Sequence, residues 1–426
     1  MQQAYALKGN ICYSKDRSTL KTVENGYIVV ENGISAGVFE ALPEKWANIP
    51  ATDYGDKLII PGLVDLHIHA PQYAFRGTGM DLELLEWLNT YTFPEEAKYG
   101  DLAYADKAYA LFVKDLQNSA TTRAVVFATA HVPATMLLME KLEESGLVSF
   151  VGKVNMDRNS HPDLQEKSVE ESANDTIGWL ESCAGKFKNT ALILTPRFIP
   201  SCTDDLMRRL SEIQKQYALP VQSHLSENQA EVEWVKELCP WSSSYGDAYA
   251  RFGLFGGSVK TVMAHCVWLS GSEIELMREN GVYVAHCPQS NTNLASGIAP
   301  IRRYLDKNMS VGLGSDIAGG SSASIFRAMS DAIQVSKLYW RLIDSGCAAL
   351  TVEEAFYLGT LGGGKFFGKT GSFDAGYEFD AIVIDDANII GPVMRNIHDR
   401  LSKIIYLSDD RNVVAKYIRG KICGRK

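Results

Sequence analysis

The chain has 426 residues, 46% hydrophobic and 22% charged, with a net charge of −9 at neutral pH. That composition excludes a disordered polymer and allows a sizeable buried core. The acidic balance argues against a general nucleic-acid or anionic-membrane surface and points to a small molecule as partner.

The first residues, MQQAYALKGNICYSKDRS, lack a basic stretch followed by an apolar core, and no apolar run is long enough to span a bilayer, so the cytoplasm is the expected compartment. Eight cysteines, at 12, 183, 202, 239, 266, 287, 347 and 423, are scattered without a CxxC pair. In a chain of this length they read as reduced, mostly buried thiols rather than a disulfide framework.

Residues 1–57 hold short β-rich runs such as GYIVVENG and ISAGVFE, broken by Gly and Asn, which predict a small antiparallel sheet. From residue 58 the texture changes to apolar strands alternating with amphipathic helices, the mark of βα units. The first strand is the apolar run 58–68, and a long aromatic segment, RGTGMDLELLEWLNTYTFPEE, follows it. A helix is predicted over 102–119, with Leu111, Phe112 and Leu116 at helical spacing, and another over TDDLMRRLSEIQKQYA. Further strands are predicted at 123–129, 148–155, 192–196, 220–224, 261–265, 282–286 and 310–315, giving eight in all. Eight parallel strands with interleaved helices are the count of an α/β fold of the (β/α)8, TIM-barrel type. After a helix over 352–361 the chain returns to strand-like runs, FDAIVID, IIYLSDD and VVAKYIRGKICGR, so both chain ends are paired as one small β domain. The expected division is 1–60 with 372–426 for that domain and 61–371 for the barrel.

The polar clusters sit at the predicted C-terminal ends of the barrel strands, where such enzymes keep their active sites. His67 and His69 stand two residues apart, so on a strand both imidazoles point the same way. His224 in QSHLSEN, His265 in MAHCVWLS and Asp316 in GLGSDIAGG end three other strands. Singly, either histidine also suits a core position and Asp316 a helix cap. Together they offer the imidazole and carboxylate donors that borderline divalent metals prefer. Glu227, three residues past His224, is placed to accept a proton from a metal-activated water. The fourth strand, LILTP, carries no lysine to bridge two metals, which favours one; Lys153 lies in the third strand and reads as structural.

HIHAPQ, SHLSEN, AHCVWLS and GSDIAGG resemble the metal-dependent amidohydrolase superfamily, and DLELLEWLNTYTFPEE, GKVNMDRN, TPRFIPSC and HCPQSN resemble the guanine deaminases within it. The resemblance runs from about residue 57 to the C-terminus. It implies a metal-binding barrel with a small β-sandwich built from both chain ends, one divalent metal per subunit (zinc, with iron as the alternative), and a homodimer. It places the metal ligands at His67, His69, His224 and Asp316, with His265 holding the reacting water or the substrate. It places the purine pocket at Gln72, Arg197, Phe198 and Glu227, where His69, His224 and Asp316 also face the substrate. The implied reaction is hydrolytic deamination of guanine to xanthine and ammonia by a metal-bound hydroxide, with Glu227, His265 and Asp316 as the catalytic groups. Another purine, pterin or triazine is the alternative substrate, and a non-enzymatic scaffold of the same fold the alternative of another class.

Two motifs are set aside. GGKFFGKT satisfies the phosphate-loop pattern, but a helix precedes it and a turn follows, the reverse of the strand-to-helix setting that gives the pattern its mechanism. His286-Cys287 reads as the end of the seventh strand lining the pocket rather than as a thiol nucleophile.

Overall fold

The structure, a computed structural model, describes residues 4–389, 391–393 and 396–425. In chain order its strands are β1 Ala4–Ser14, β2 Leu20–Glu31, β3 Ile34–Phe39, β4 Ala51–Pro61, β5 Leu63–His69, β6 Thr121–Phe127, β7 Val148–Gly152, β8 Val154–Asn155 and β9 Thr190–Leu192. They continue as β10 Thr195–Pro196, β11 Val221–Leu225, β12 Thr261–His265, β13 Tyr283–His286, β14 Val311–Leu313, β15 Ala381–Ile384, β16 Val413–Ile418 and β17 Lys421–Arg425.

Both chain ends meet in one seven-stranded sheet ordered β17-β16-β15-β4-β1-β2-β3. The expected antiparallel sheet is mixed, because β1 pairs antiparallel with β2 but parallel with β4. Leu7, Ile11, Tyr13, Ile28, Ile59, Phe379, Val383 and Tyr417 pack into a shared core that holds these strands together. The β2–β3 hairpin turns on Asn32 (φ 53°) and Gly33 (φ 81°), backbone values that match the twist of two-residue hairpins. A Cβ on Gly33 would lie 2.6 Å from the Arg419 carbonyl, in the turn between β16 and β17, so the two tips can only abut through glycine.

The apolar run at 58–68 is two strands rather than one. Leu58, Ile59 and Ile60 pair with Ile384, Val383 and Ile382 in the end sheet, while Leu63 onward pairs with β6. The switch is at Gly62, where any Cβ would stand 2.2 Å from the Thr122 hydroxyl and the N–H is held by the Asp380 carbonyl at 3.1 Å.

Parallel strands then run β5-β6-β7-β9 and β11-β12-β13-β14, with the pair β10-β8 beside them. All eight predicted positions are strands, but the third and fourth are each split into two short pieces. The Leu194–Val221 bridge links the two sets on one side. On the other, the Asp316 N–H donates to the His67 carbonyl at 2.9 Å and the His69 N–H to the Ile317 carbonyl at 3.2 Å. Val64, Leu66, Val125, Ile193, Val262 and Ala285 pack together with Phe366. Phe366 is the fourth residue of GGKFFGKT, and the Thr370 hydroxyl of that segment donates to the Gly364 carbonyl at 2.8 Å. The phosphate-loop lookalike is thus a tight turn that delivers a core aromatic.

Two expectations need correction. IIYLSDD is not a strand: Ile397–Leu407 is an α-helix. The Asn396 side chain caps it by accepting from the Asp399 N–H, and Ile397, Leu401, Ile404 and Ile405 form its buried stripe. In the helix Leu102–Asn118, Leu111 is 61% exposed, and Tyr109, Phe112, Val113 and Leu116 make the buried face. All eight cysteines are free thiols, seven of them buried. Among the described residues, no helix is long and apolar enough to cross a membrane.

Lys416 on β16 is buried, its ammonium donating to the Thr121 and Leu116 carbonyls at 2.8 and 3.2 Å. Burial pulls its pKa down to about 7. The unfolded chain, with an ordinary lysine near 10.4, therefore binds a proton that the native state lacks between pH of about 7 and 10. Stability conferred at this site rises with pH through that window, by at most about 1.4 kcal/mol per unit, and is lost as pH falls through 7. Lys416→Met should remove this slope, which paired denaturant titrations of the two proteins from pH 6 to 10 would measure; parallel curves would refute it.

Candidate active site

Strand β5 ends in His67 and His69, both 2% exposed. The pairing of β5 with β6 shifts register between Asp65 and Ile68, yet the two rings still meet, with His69 Nε2 at 3.2 Å from His67 Nε2. From β11 comes His224, whose Nε2 is 3.1 Å from that of His69. The His224 Nδ1–H donates to the Arg197 carbonyl at 2.6 Å, which leaves the Nε2 lone pair facing the other two rings. Asp316 follows β14 and sets Oδ1 at 3.2 Å from His67 Nε2 and 3.5 Å from His69 Nε2. Ligand atoms of His67, His69 and His224, and of His67, His265 and Asp316, fall within 4.8 Å of one another.

Burial holds the His67 imidazole below its ordinary pKa, and those of His69 and His224 well below theirs. Three neutral rings with lone pairs converging on one point, beside a carboxylate, repel one another unless a cation lies between them. That donor set fits a borderline divalent metal.

His265 ends β12, with Nε2 at 3.7 Å from Asp316 Oδ2 and 3.3 Å from Glu227 Oε2. Its Nδ1 bonds Asn291 Oδ1 at 2.9 Å, which fixes the ring. Glu227, 4% exposed, accepts the Ser296 hydroxyl at 3.1 Å. Burial, reinforced by the nearby Asp316, raises its carboxyl well above the usual range. Ser226, His265, Cys266 and Asp316 all have positive φ, between 47° and 70°. Such left-handed non-glycine residues are costly, and their clustering at strand ends marks a functional site.

Beside His224, Arg197 and Phe198 follow β10 and line the same cavity with Gln72, Glu231 and Leu294. Leu84, Trp87 and Leu88, from the aromatic segment after β5, close it over. The Phe198 ring is 4% exposed and 6.5 Å from that of His224. Gln72 has its amide committed to protein, donating to Glu96 at 2.9 Å and accepting from the Ala318 N–H at 2.9 Å. The structure thus brings His67, His69, Gln72, Arg197, Phe198, His224, Glu227, His265 and Asp316 into one neighbourhood. It leaves Lys153 aside, in a buried ion pair with Glu166. His286 ends β13 as expected and Cys287 follows it, but neither lines the cavity; both are buried, and burial pushes the Cys287 thiol well up, which does not suit a nucleophile.

Four residues were not foreseen. Asp65 accepts from the N–H groups of His67 and Ser315, both at 3.1 Å, and so ties β5 to the Asp316 loop; burial raises it to about 6. Asn291 holds His265. Glu231 accepts the Glu227 N–H at 2.9 Å and the Tyr245 hydroxyl at 2.8 Å. Glu96, fully buried, receives both arms of the Arg197 guanidinium, at 2.5 and 3.1 Å. The one available signal was an acidic residue inside an apolar run, and it applies to Asp65 alone.

Residues 58–423 match the model of the amidohydrolase family. Guanine deaminase of Dictyostelium discoideum is 41% identical over 382 residues, covering 86% of this chain and 83% of that protein. Guanine deaminase of Mus musculus is 39% identical over 381 residues, covering 86% and 82%. A solved structure of guanine deaminase from C. acetobutylicum, with guanine bound in its active site, superposes with a TM-score of 0.96 at 45% identity, covering 99% of this chain and all of that one.

Proposed function

We infer, from the premise that this chain belongs to the amidohydrolase family, that it is a hydrolase acting on a C–N bond and converts guanine and water to xanthine and ammonia. The observation that carries the reading is the convergence, at the strand ends, of three neutral histidines and Asp316 on one wall, Glu227 and His265 beside them, and Arg197 with Phe198 facing them.

His67, His69, His224 and Asp316 would hold one divalent cation, zinc or alternatively iron, and that cation would supply the Lewis acidity that activates the attacking water. Arg197 donates to the purine carbonyl, Phe198 offers its ring face to the base, and Gln72 borders the base edge. Glu227 takes the proton of the attacking water and passes it to the departing amine, as a carboxyl of raised pKa can do near neutral pH. His265 and Asp316 orient the nucleophile and favour the charge that develops on the tetrahedral carbon. The carbon–amine bond breaks as ammonia leaves, and the new carbon–oxygen bond remains in xanthine.

Several further features belong to the same reading. The two sets of parallel strands close into a (β/α)8 barrel over 61–371, supported by the links at Leu194–Val221 and between Asp316 and His67. Residues 1–60 and 372–426 are read as the small β-sandwich, a reading supported by the seven-stranded sheet and the core that both ends share. The working protein is a cytoplasmic homodimer. The test of function is to incubate metal-replete protein with guanine and with adenine while following ammonia and xanthine. Equal rates on adenine, which lacks the carbonyl and carries its amine on another carbon, or no ammonia from guanine, would overturn the reading.

A further inference from the structure

We propose that Glu96 is the positioning residue for purine recognition: it holds Arg197 and Gln72 in the orientation that reads the oxygen of the base. The proposal rests on guanine being the substrate. Glu96 does not line the cavity; it stands behind the two residues that do. Its Oε2 accepts from Arg197 Nη1 at 2.5 Å, and its Oε1 accepts from Arg197 Nη2 at 3.1 Å and from Gln72 Nε2 at 2.9 Å. Planar two-armed pairing fixes both the place and the plane of a guanidinium, which a single contact does not. The remaining N–H groups of Arg197 then project in set directions.

One carboxylate therefore serves two pocket residues, and the fixing extends further. Gln72, held at its nitrogen by Glu96, gives its oxygen to the Ala318 N–H, two residues past Asp316. Glu96 lies on the short helix Phe93–Ala97, and the ring of Phe93 on the same turn stacks under the guanidinium, 5.0 Å from its centre. That helix ends the segment whose Leu84, Trp87 and Leu88 close over the cavity. The pairing also leaves no net charge at the reading position, which suits the oxygen of an uncharged base and gives an anion no added attraction.

The experiment compares the Michaelis constant for guanine with the binding constant of 2-aminopurine, measured as a competing ligand that has the same amine but no oxygen. Glu96→Gln should raise the guanine constant about 10- to 100-fold, the usual worth of a hydrogen bond to a charged donor, with metal content and 2-aminopurine affinity unchanged. In Glu96→Gln/Arg197→Met the loss of guanine binding should fall well short of the sum of the two single losses, because Glu96 acts mainly through the arginine. Should the glutamine variant fail to fold, Glu96→Asp keeps the ion pair but draws the guanidinium back, and must shift the preference in the same direction. Equal losses for both ligands would show a merely structural role and overturn the proposal. So would unchanged guanine binding in a folded Gln or Asp variant, or additive losses in the double variant. A wild-type protein inert toward guanine would instead reject the substrate reading itself.

Discussion

His69→Ala is expected to abolish guanine deamination and to strip the protein of its divalent cation while leaving the chain folded. His69 is the most central of the proposed ligands, with Nε2 at 3.2 Å from His67, 3.1 Å from His224 and 3.5 Å from Asp316 Oδ1. Altering a group behind a ligand already costs roughly 10- to 100-fold in metal affinity, so removing a ligand outright should cost more. The fold should survive, because His69 Nδ1 has no partner among the described residues and its Nε2 meets other proposed metal ligands. Metal content by atomic absorption, turnover of guanine, and unfolding in chelator would be measured on both proteins. Full metal content and activity in the variant would remove His69 from the ligand set. The same loss of metal and activity is expected for His67→Ala, His224→Ala and Asp316→Ala.

What could be read from the sequence follows from which patterns have a physical period. The parallel strands were legible because each is a short β-rich apolar run closed by a polar residue, and a histidine or aspartate at such an end has few structural reasons to be there. His67 and His69 were legible from the strand period of two alone. The boundary at Gly62 was not, since one apolar run served two sheets and only the crowding of Thr122 against its Cα distinguishes them. Ile404 and Ile405 misled because a short apolar run fits a strand as well as a helix; the deciding features were the Asn396 cap and Leu401 one turn earlier. Gln72, Arg197 and Phe198 came into view only through the family resemblance of their motifs. Glu96 and Glu231 escaped because each has an ordinary local explanation. An acid after Pro94 suits a helix start, and Glu231 completes a capping box with Asn228. Nothing in a single sequence says that such a carboxylate is buried against a guanidinium or bonded to the backbone of Glu227.

Glu227→Gln should lower turnover of guanine by roughly 10²- to 10⁴-fold, the usual worth of a positioned acid–base group, while metal content stays unchanged. The substitution keeps the size of the side chain and an oxygen that can accept from the Ser296 hydroxyl, now at 3.1 Å, so the loop after β11 has no reason to move. What it removes is the ability to take a proton and return it. The geometry makes that the decisive loss, since Glu227 Oε2 lies 3.3 Å from His265 Nε2, and His265 is itself 3.7 Å from Asp316 Oδ2. Glu227 thus stands beside the histidines and Asp316, while its backbone N–H is tethered by Glu231 at 2.9 Å. Burial and the neighbouring Asp316 raise its carboxyl above that of an exposed glutamate, which favours its taking the proton of the attacking water before passing it to the departing amine. Single-turnover measurement at saturating guanine separates this from a binding defect, because the variant should bind guanine normally and stall in the chemical step. Comparable rates from the two proteins would take Glu227 out of the mechanism and leave His265 as the group to test next.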